Sequence, residues 1–350
     1  MIRGRTALLN WVALCGLAAF AVISYGDFHL PWSKPSPVSG FPKLRGEISL
    51  TPQRRRERKV RTVKWDKRAS ISLAASGLLS VDGSDNVTVF SAPDHTVLQI
   101  SPDGRVLAST PLPKDVLLAA GTPIMGVARA NDGTIWICNP NGHVVSYNPA
   151  SGIASLPDDV KAGAVVITNK GLVLALRPRS QNLLALYKPS GELINGFGAF
   201  LENQVRDGIV LQGKITSDTS GERVYFAPLY GGFLAGYAPD GTRRFLVASI
   251  DGTPLPQPIV GAGGFMRFPH LTSLVASLSV TESALYVLML KENTESETRQ
   301  SIVDVYQANT GAYGYSFLAP DHAFGVAVGK AVLYMSTSEG IEVWRKDPTT

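Results

Sequence analysis

The strongest constraint in this 350-residue sequence is one kind of turn, met six times, each time behind an aromatic or large apolar residue. Ile100 precedes Ser-Pro-Asp-Gly104, Tyr147 precedes Asn-Pro-Ala-Ser-Gly152, and Tyr187 precedes Lys-Pro-Ser-Gly191. Tyr237 precedes Ala-Pro-Asp-Gly241, Tyr306 precedes Gln-Ala-Asn-Thr-Gly311, and Trp344 precedes Arg-Lys-Asp-Pro348. Proline presets φ at the first corner of such a turn, and glycine supplies φ > 0 at its exit without steric cost. Each turn follows a short run with β character: HTVLQI, HVVSY, NLLALY, GFLAGY, SIVDVY and GIEVW. The turns recur every roughly 40 to 70 residues, the range of sheet-built repeats rather than of helical ones.

Two further strand-like runs stand upstream of each turn. They are LLSV (78–81) and VTVF (87–90), GVARA (126–130) and TIWIC (134–138), VVIT (165–168) and LVLAL (172–176). KITS (214–217) and RVYFA (223–227), SLSV (277–280) and ALYVLML (284–290), and GVAV (325–328) and AVLYMS (331–336) complete the set. Asn-Asp-Gly133 and Asn-Lys-Gly171 between two of these pairs are hairpin signals. A fourth run follows each of the first five turns, for example RVLAS (105–109) and TRRFLV (242–247). The unit is therefore a four-stranded antiparallel meander, and six of them predict an all-β, six-bladed β-propeller. A β-sandwich of the same hairpins is the competing architecture. The sixth unit runs out of chain after Trp344, and the predicted donor of its last strand is Val60 to Trp65, VRTVKW. Residues 59–350 are thus assigned to the propeller.

The run DGTIWICNPNGHVVSYNPASG and the run SIVDVYQANTGAYGYSF resemble the broad six-bladed propeller superfamily that holds NHL-type and TolB-like domains. The resemblance implies the fold over about four-fifths of the chain and leaves function open, since such scaffolds host enzymes, ligand binders and platforms alike.

Residues 1–26 read as a targeting segment. Arg3 and Arg5 are followed by the nineteen residues Ala7 to Tyr25, apolar except for Asn10 and Ser24. The stretch suits either a membrane anchor or a cleaved signal, and both place the propeller outside the cytoplasm. Residues 27–58 read as a linker, rich in proline up to Pro52 and then basic. Arg54 to Arg68 carries nine Lys/Arg against Glu57 and Asp66, whereas the chain after Arg68 carries a net −5. The basic run is either a solvated linker or a contact for anionic headgroups; nucleic acid is not an expected partner. With Cys15 in the targeting segment, Cys138 is the one remaining thiol. It is expected to be buried and inert.

No catalytic signature is present: His-Glu-x-x-His, Gly-x-Ser-x-Gly, a phosphate-binding glycine loop and Cys-x-x-Cys are all missing. Strand alternation sorts the connections by end. The hairpins between first and second strands share one end with the Pro/Gly turns, and the longer connectors share the other. Long loops on one face of a rigid scaffold are where binding is usually built. The candidate ligand-binding residues are accordingly Arg267, His270, Asp321 and His322, with Asp159 and Asp207 in equivalent connectors. The expected function is a monomeric, exported or membrane-anchored binding module for a protein or small ligand, without cofactor. The alternative is a metal-dependent, lactonase-like hydrolase or lyase, with calcium, at the channel mouth.

Overall fold

The computed structural model describes residues 57–346, apart from 74, 140–142, 157–161, 169, 179, 201–210, 219, 231, 253–258, 261–265, 268–272, 293–298 and 320–322. The predicted targeting segment and most of the predicted linker lie outside these residues. No helix among the described residues is long and apolar enough to cross a membrane.

Six four-stranded antiparallel sheets form the blades. Blade 1 is β2 (Ala75–Val81), β3 (Val87–Ser91), β4 (Thr96–Ile100) and β5 (Val106–Pro111). Blade 2 is β6 (Gly126–Arg129), β7 (Ile135–Cys138), β8 (Val145–Asn148) and β9 (Gly152–Ser155). Blade 3 is β10 (Ala164–Ile167), β11 (Val173–Leu176), β12 (Leu184–Tyr187) and β13 (Leu193–Phe197). Blade 4 is β14 (Gly213–Ser217), β15 (Val224–Pro228), β16 (Phe233–Tyr237) and β17 (Arg243–Ala248). A two-stranded hairpin, β18 (Ile259–Val260) and β19 (Met266–Arg267), precedes blade 5. Blade 5 is β20 (Ser273–Val280), β21 (Ala284–Glu292), β22 (Arg299–Gln307) and β23 (Tyr313–Leu318). Blade 6 takes β24 (Gly325–Val328), β25 (Val332–Thr337) and β26 (Gly340–Lys346), and its outermost strand is β1 (Trp65–Ser72).

The strand paired with β26 therefore begins where the expected donor ends. Ala69 faces Val343 and Ile71 faces Ile341, with a bulge between Lys67 and Ala69 that absorbs Arg68. The extra residue interrupts the period-2 pattern and conceals the strand from sequence reading. The expected donor, Val60 to Trp65, does other work. Val60 makes a parallel bridge to Ser316 on blade 5, while Val63 and Trp65 pack against the apolar cluster between blades 5 and 6.

Period-2 alternation explains the core. Each strand's two faces look at two different neighbours, so buried residues sort into six clusters, one at each seam between adjacent blades. Ile215 of β14 joins the seam of blades 3 and 4. Ala227, one strand further out, joins that of blades 4 and 5. Cys138 is fully buried in the seam of blades 2 and 3, and burial pushes its thiol well above the ordinary range. A short helix, α1 (Lys114–Ala120), was not anticipated; it presents Val116, Leu117 and Ala120 to the seam of blades 1 and 2.

The basic segment before β1 is held on the ring. The Arg58 guanidinium donates to Asp304 at 2.8 Å from two of its nitrogens and also pairs with Asp251. Asp304 is 1% exposed and also accepts from Ser316 Oγ at 2.7 Å. Burial opposes the charge on Arg58, yet the hydrogen bonds it donates to Asp304 and Asp251 outweigh this and move its pKa upward. Backbone bonds from Arg61 N to Ser316 O (2.8 Å) and from Ser316 N to Lys59 O (2.9 Å) fix the strap along β23. The Arg61 guanidinium lies 4.6 Å from the Tyr315 ring centroid.

Candidate functional site

The innermost strands β2, β6, β10, β14, β20 and β24 surround an axial channel. It widens, among the described residues, at the end formed by the first hairpin of each blade. There a cavity of about 600 Å³ is lined by residues from all six blades. Its width follows from composition: the innermost strands run into Asp82-Gly83, Asp132, Gly171, Asp218, Thr281 and Gly329, which leave the axis open. At the opposite end Met125, Leu176, Pro178 and Leu229 narrow the channel to a cavity of about 90 Å³. Leu79, Val166, Ile215 and Leu278 line both cavities and form an apolar waist between them.

Most carboxylates at the wide mouth are already used by their own hairpins. Asp82 accepts from the backbone N–H groups of Ser84 (2.8 Å) and Asn86 (3.0 Å), and from Gln99 Nε2 at 3.0 Å. Asp218, buried, accepts from Glu222 N (2.9 Å) and Arg223 N (3.1 Å) and pairs with Arg223 Nε at 2.7 Å. Asp132 accepts from Thr134 N at 2.9 Å, and this backbone hydrogen bond lowers its pKa. Asp85 accepts from Lys330 N of blade 6 at 3.1 Å. Such Asx turns are why acidic residues stand after the innermost strands; the negative charge there is structural first.

Arg129 is different. It ends β6 and lines the wide cavity, and its Nη1 is buried without a hydrogen-bond partner. An unpaired buried guanidinium N–H is a costly state that an anionic or carbonyl group entering the cavity would relieve. Lys170 is paired with Glu222, whereas Lys330 presents an exposed amine at the rim.

Of the residues nominated from sequence, Arg267 falls in β19, opposite Ile259. His270, Asp321 and His322 lie outside the described residues, as do Asp159 and Asp207. Among the described residues no group of three His, Cys, Asp or Glu side chains could hold a metal ion. Arg129 and Lys214 were passed over, although both belong to runs read as innermost strands, GVARA and KITS. A long basic side chain on the strand that borders the axis was the available signal.

Lys214 lies at the narrow end, half-buried, and burial lowers its pKa. A depressed folded value means the unfolded chain binds more protons between that value and about 10.4, so stability rises with pH across this window. Lys214→Met is expected to abolish the rise and to be the more stable protein at neutral pH. Urea denaturation at several pH values from 7 to 10 checks this; parallel curves for the two proteins would contradict it.

No protein-family model matches the sequence, and no curated protein does. Solved structures do match. A PQQ-bound aldose sugar dehydrogenase from Streptomyces coelicolor aligns over 83% of this chain and 100% of its own, with 12% identity and a TM-score of 0.50. This chain is a six-bladed β-propeller. A virginiamycin B lyase from Staphylococcus aureus (12% identity, TM-score 0.47) aligns over 82% of this chain and 100% of its own. The Cps50 propeller domain from Myceliophthora thermophila (10% identity, TM-score 0.47) aligns over 80% and 99%. At such identities the likeness concerns the fold alone.

Proposed function

We propose that this propeller is an envelope-located binding module that takes a small polar ligand with an anionic group into the wide mouth of its channel. The observation that carries the reading is Arg129: a buried guanidinium N–H with no partner, in a cavity where Asp82, Asp132 and Asp218 are committed to their own turns. A cavity of about 600 Å³ falls within the size range of small-molecule sites. Export is supported by the apolar run Ala7 to Tyr25 behind Arg3 and Arg5, and by the proline-rich stretch that follows. In that reading the front of the chain anchors or delivers the ring, and the hairpin face receives the ligand.

The test is calorimetry on the propeller with a panel of short mono- and dicarboxylates, sugar acids and sugar phosphates. At least one member is expected to bind, and Arg129→Ala to weaken it tenfold or more, the loss of one charged hydrogen bond of about 1.5–3 kcal/mol. A ligand held equally well by wild type and Arg129→Ala would remove the assignment.

A further inference from the structure

The opposite end of the channel carries chemistry of another kind. β14 and the residue before it read Gln212-Gly-Lys-Ile-Thr-Ser217, and the Gln212 carbonyl accepts from Leu229 N at 2.6 Å, continuing the ladder one step beyond Gly213 and Pro228. Alternation in this extended segment places Gln212 and Lys214 on one face and Ile215 on the other. Lys214 stands opposite Ala227, which packs in the seam of blades 4 and 5. Its side chain thus points away from the Ile215 core and borders the small cavity.

That cavity is apolar apart from a few groups; Met125, Val127, Val165, Leu176 and Leu229 form much of its wall. Among the described residues, the Lys214 amine has neither an ion pair nor a hydrogen bond. Gln212 Nε2, in the same cavity, is buried and also lacks a partner. A buried amide donor left without a partner in an apolar recess, such as Gln212 Nε2, would be destabilising in a purely structural role.

We propose that Lys214 is a nucleophilic amine that captures a small aldehyde or ketone as an imine, with Gln212 as the donor to the carbonyl oxygen. The Nζ lone pair forms the C–N bond while the carbonyl π electrons pass to oxygen. Gln212 Nε2 donates a hydrogen bond to that oxygen as charge develops. The two amine protons leave with the oxygen as water, and nitrogen and carbon become doubly bonded, so the step needs no oxidant or reductant. Desolvation lowers the pKa of Lys214 and so raises the share of neutral amine that the attack needs. A recess of about 90 Å³, the volume of roughly three waters, suits a carbonyl compound of a few heavy atoms.

The experiment is reductive trapping on the intact chain at pH 6.5 with acetaldehyde and cyanoborohydride, followed by peptide mass spectrometry of every lysine. An ordinary lysine, with a pKa of about 10.4, is almost wholly protonated there. Lys214 is expected to be labelled at least tenfold above the exposed Lys188 and Lys330, and a naphthaldehyde probe is expected to leave it unlabelled. Gln212→Leu is expected to slow labelling of Lys214 without changing that of the exposed lysines. Labelling of Lys214 equal to or below theirs, or only after denaturation, would overturn the proposal. The comparison is made within one wild-type sample, so it holds even if Lys214→Arg, the chemical control, does not fold.

Discussion

A chain that begins at Leu73 is expected to lose cooperative unfolding and to aggregate, whereas one that begins at Glu57 melts like the full protein. The shorter chain lacks β1, and with it the strand that covers β26 from Lys346 to Gly340. Beyond the loss of the Arg58 strap, two costs then combine. The outer edge of blade 6 exposes its backbone donors and acceptors to pairing with other chains. The seam of blades 6 and 1 loses Ala69 and Ile71, which pack against its buried cluster. Gly104 and Gly340 show how close that packing is: a Cβ on the first would collide with Ala69, and one on the second with the Ile71 carbonyl. Thermal melts and size-exclusion profiles of the two chains decide the matter; melting within roughly 2 °C of each other would mean that β1 is dispensable to the ring.

Arg58→Ala is expected to destabilise the protein by about 3–5 kcal/mol, the usual cost of removing one partner from a buried ion pair. For a domain of this size that is a fall of about 5–8 °C in Tm. The cost arises mainly from what is left behind: Asp304 keeps Ser316 Oγ but loses two charge-assisted bonds in a site almost closed to water. Asp304→Asn alone should also be costly, since it leaves the guanidinium with the Asp251 carboxylate and a neutral amide in place of two carboxylates. Replacing both groups, as in Arg58→Met with Asp304→Leu, should recover part of the loss, because the most buried charge goes with its partner while Asp251 keeps its charge at a site 16% exposed. A chain starting at Val63 should behave as Arg58→Ala does. If single and double substitutions melt alike, the strap is an ornament of the surface rather than part of the ring.

The architecture was readable because its determinants are local. A proline at one corner and a glycine at the exit specify a turn wherever they stand, and six such turns divide the chain into blades before any long-range contact is known. β1 was less legible, because the bulge at Arg68 breaks the alternation that marks a strand. The candidate site was placed by loop length, which drew attention to Arg267, His270, Asp321 and His322 at the connector end. Cavity width among the described residues instead follows side-chain volume along the axis. Glycines and short turn residues open the hairpin end, while Met125, Leu176, Pro178 and Leu229 fill the other. That comparison needs six segments, far apart in sequence, to be set side by side. Arg58 was hidden for a similar reason: nothing in RRRERK marks out Arg58, whose carboxylate partners lie 193 and 246 residues away.

The order of strands in blade 6 has a consequence for how the chain is made. Among the described strands β1 is the first to leave the ribosome and its partner β26 is the last, so β1 must wait for that partner throughout synthesis of the ring. A contact of such sequence separation forms late. The strand is suited to the delay: most of it remains exposed even in the finished protein, and Asp66, Lys67 and Arg68 sit along it as charges that discourage pairing between nascent chains. A charge-free version, with these three replaced by threonine, would keep the ring's geometry but surrender that protection during the interval when the chain is longest and least complete.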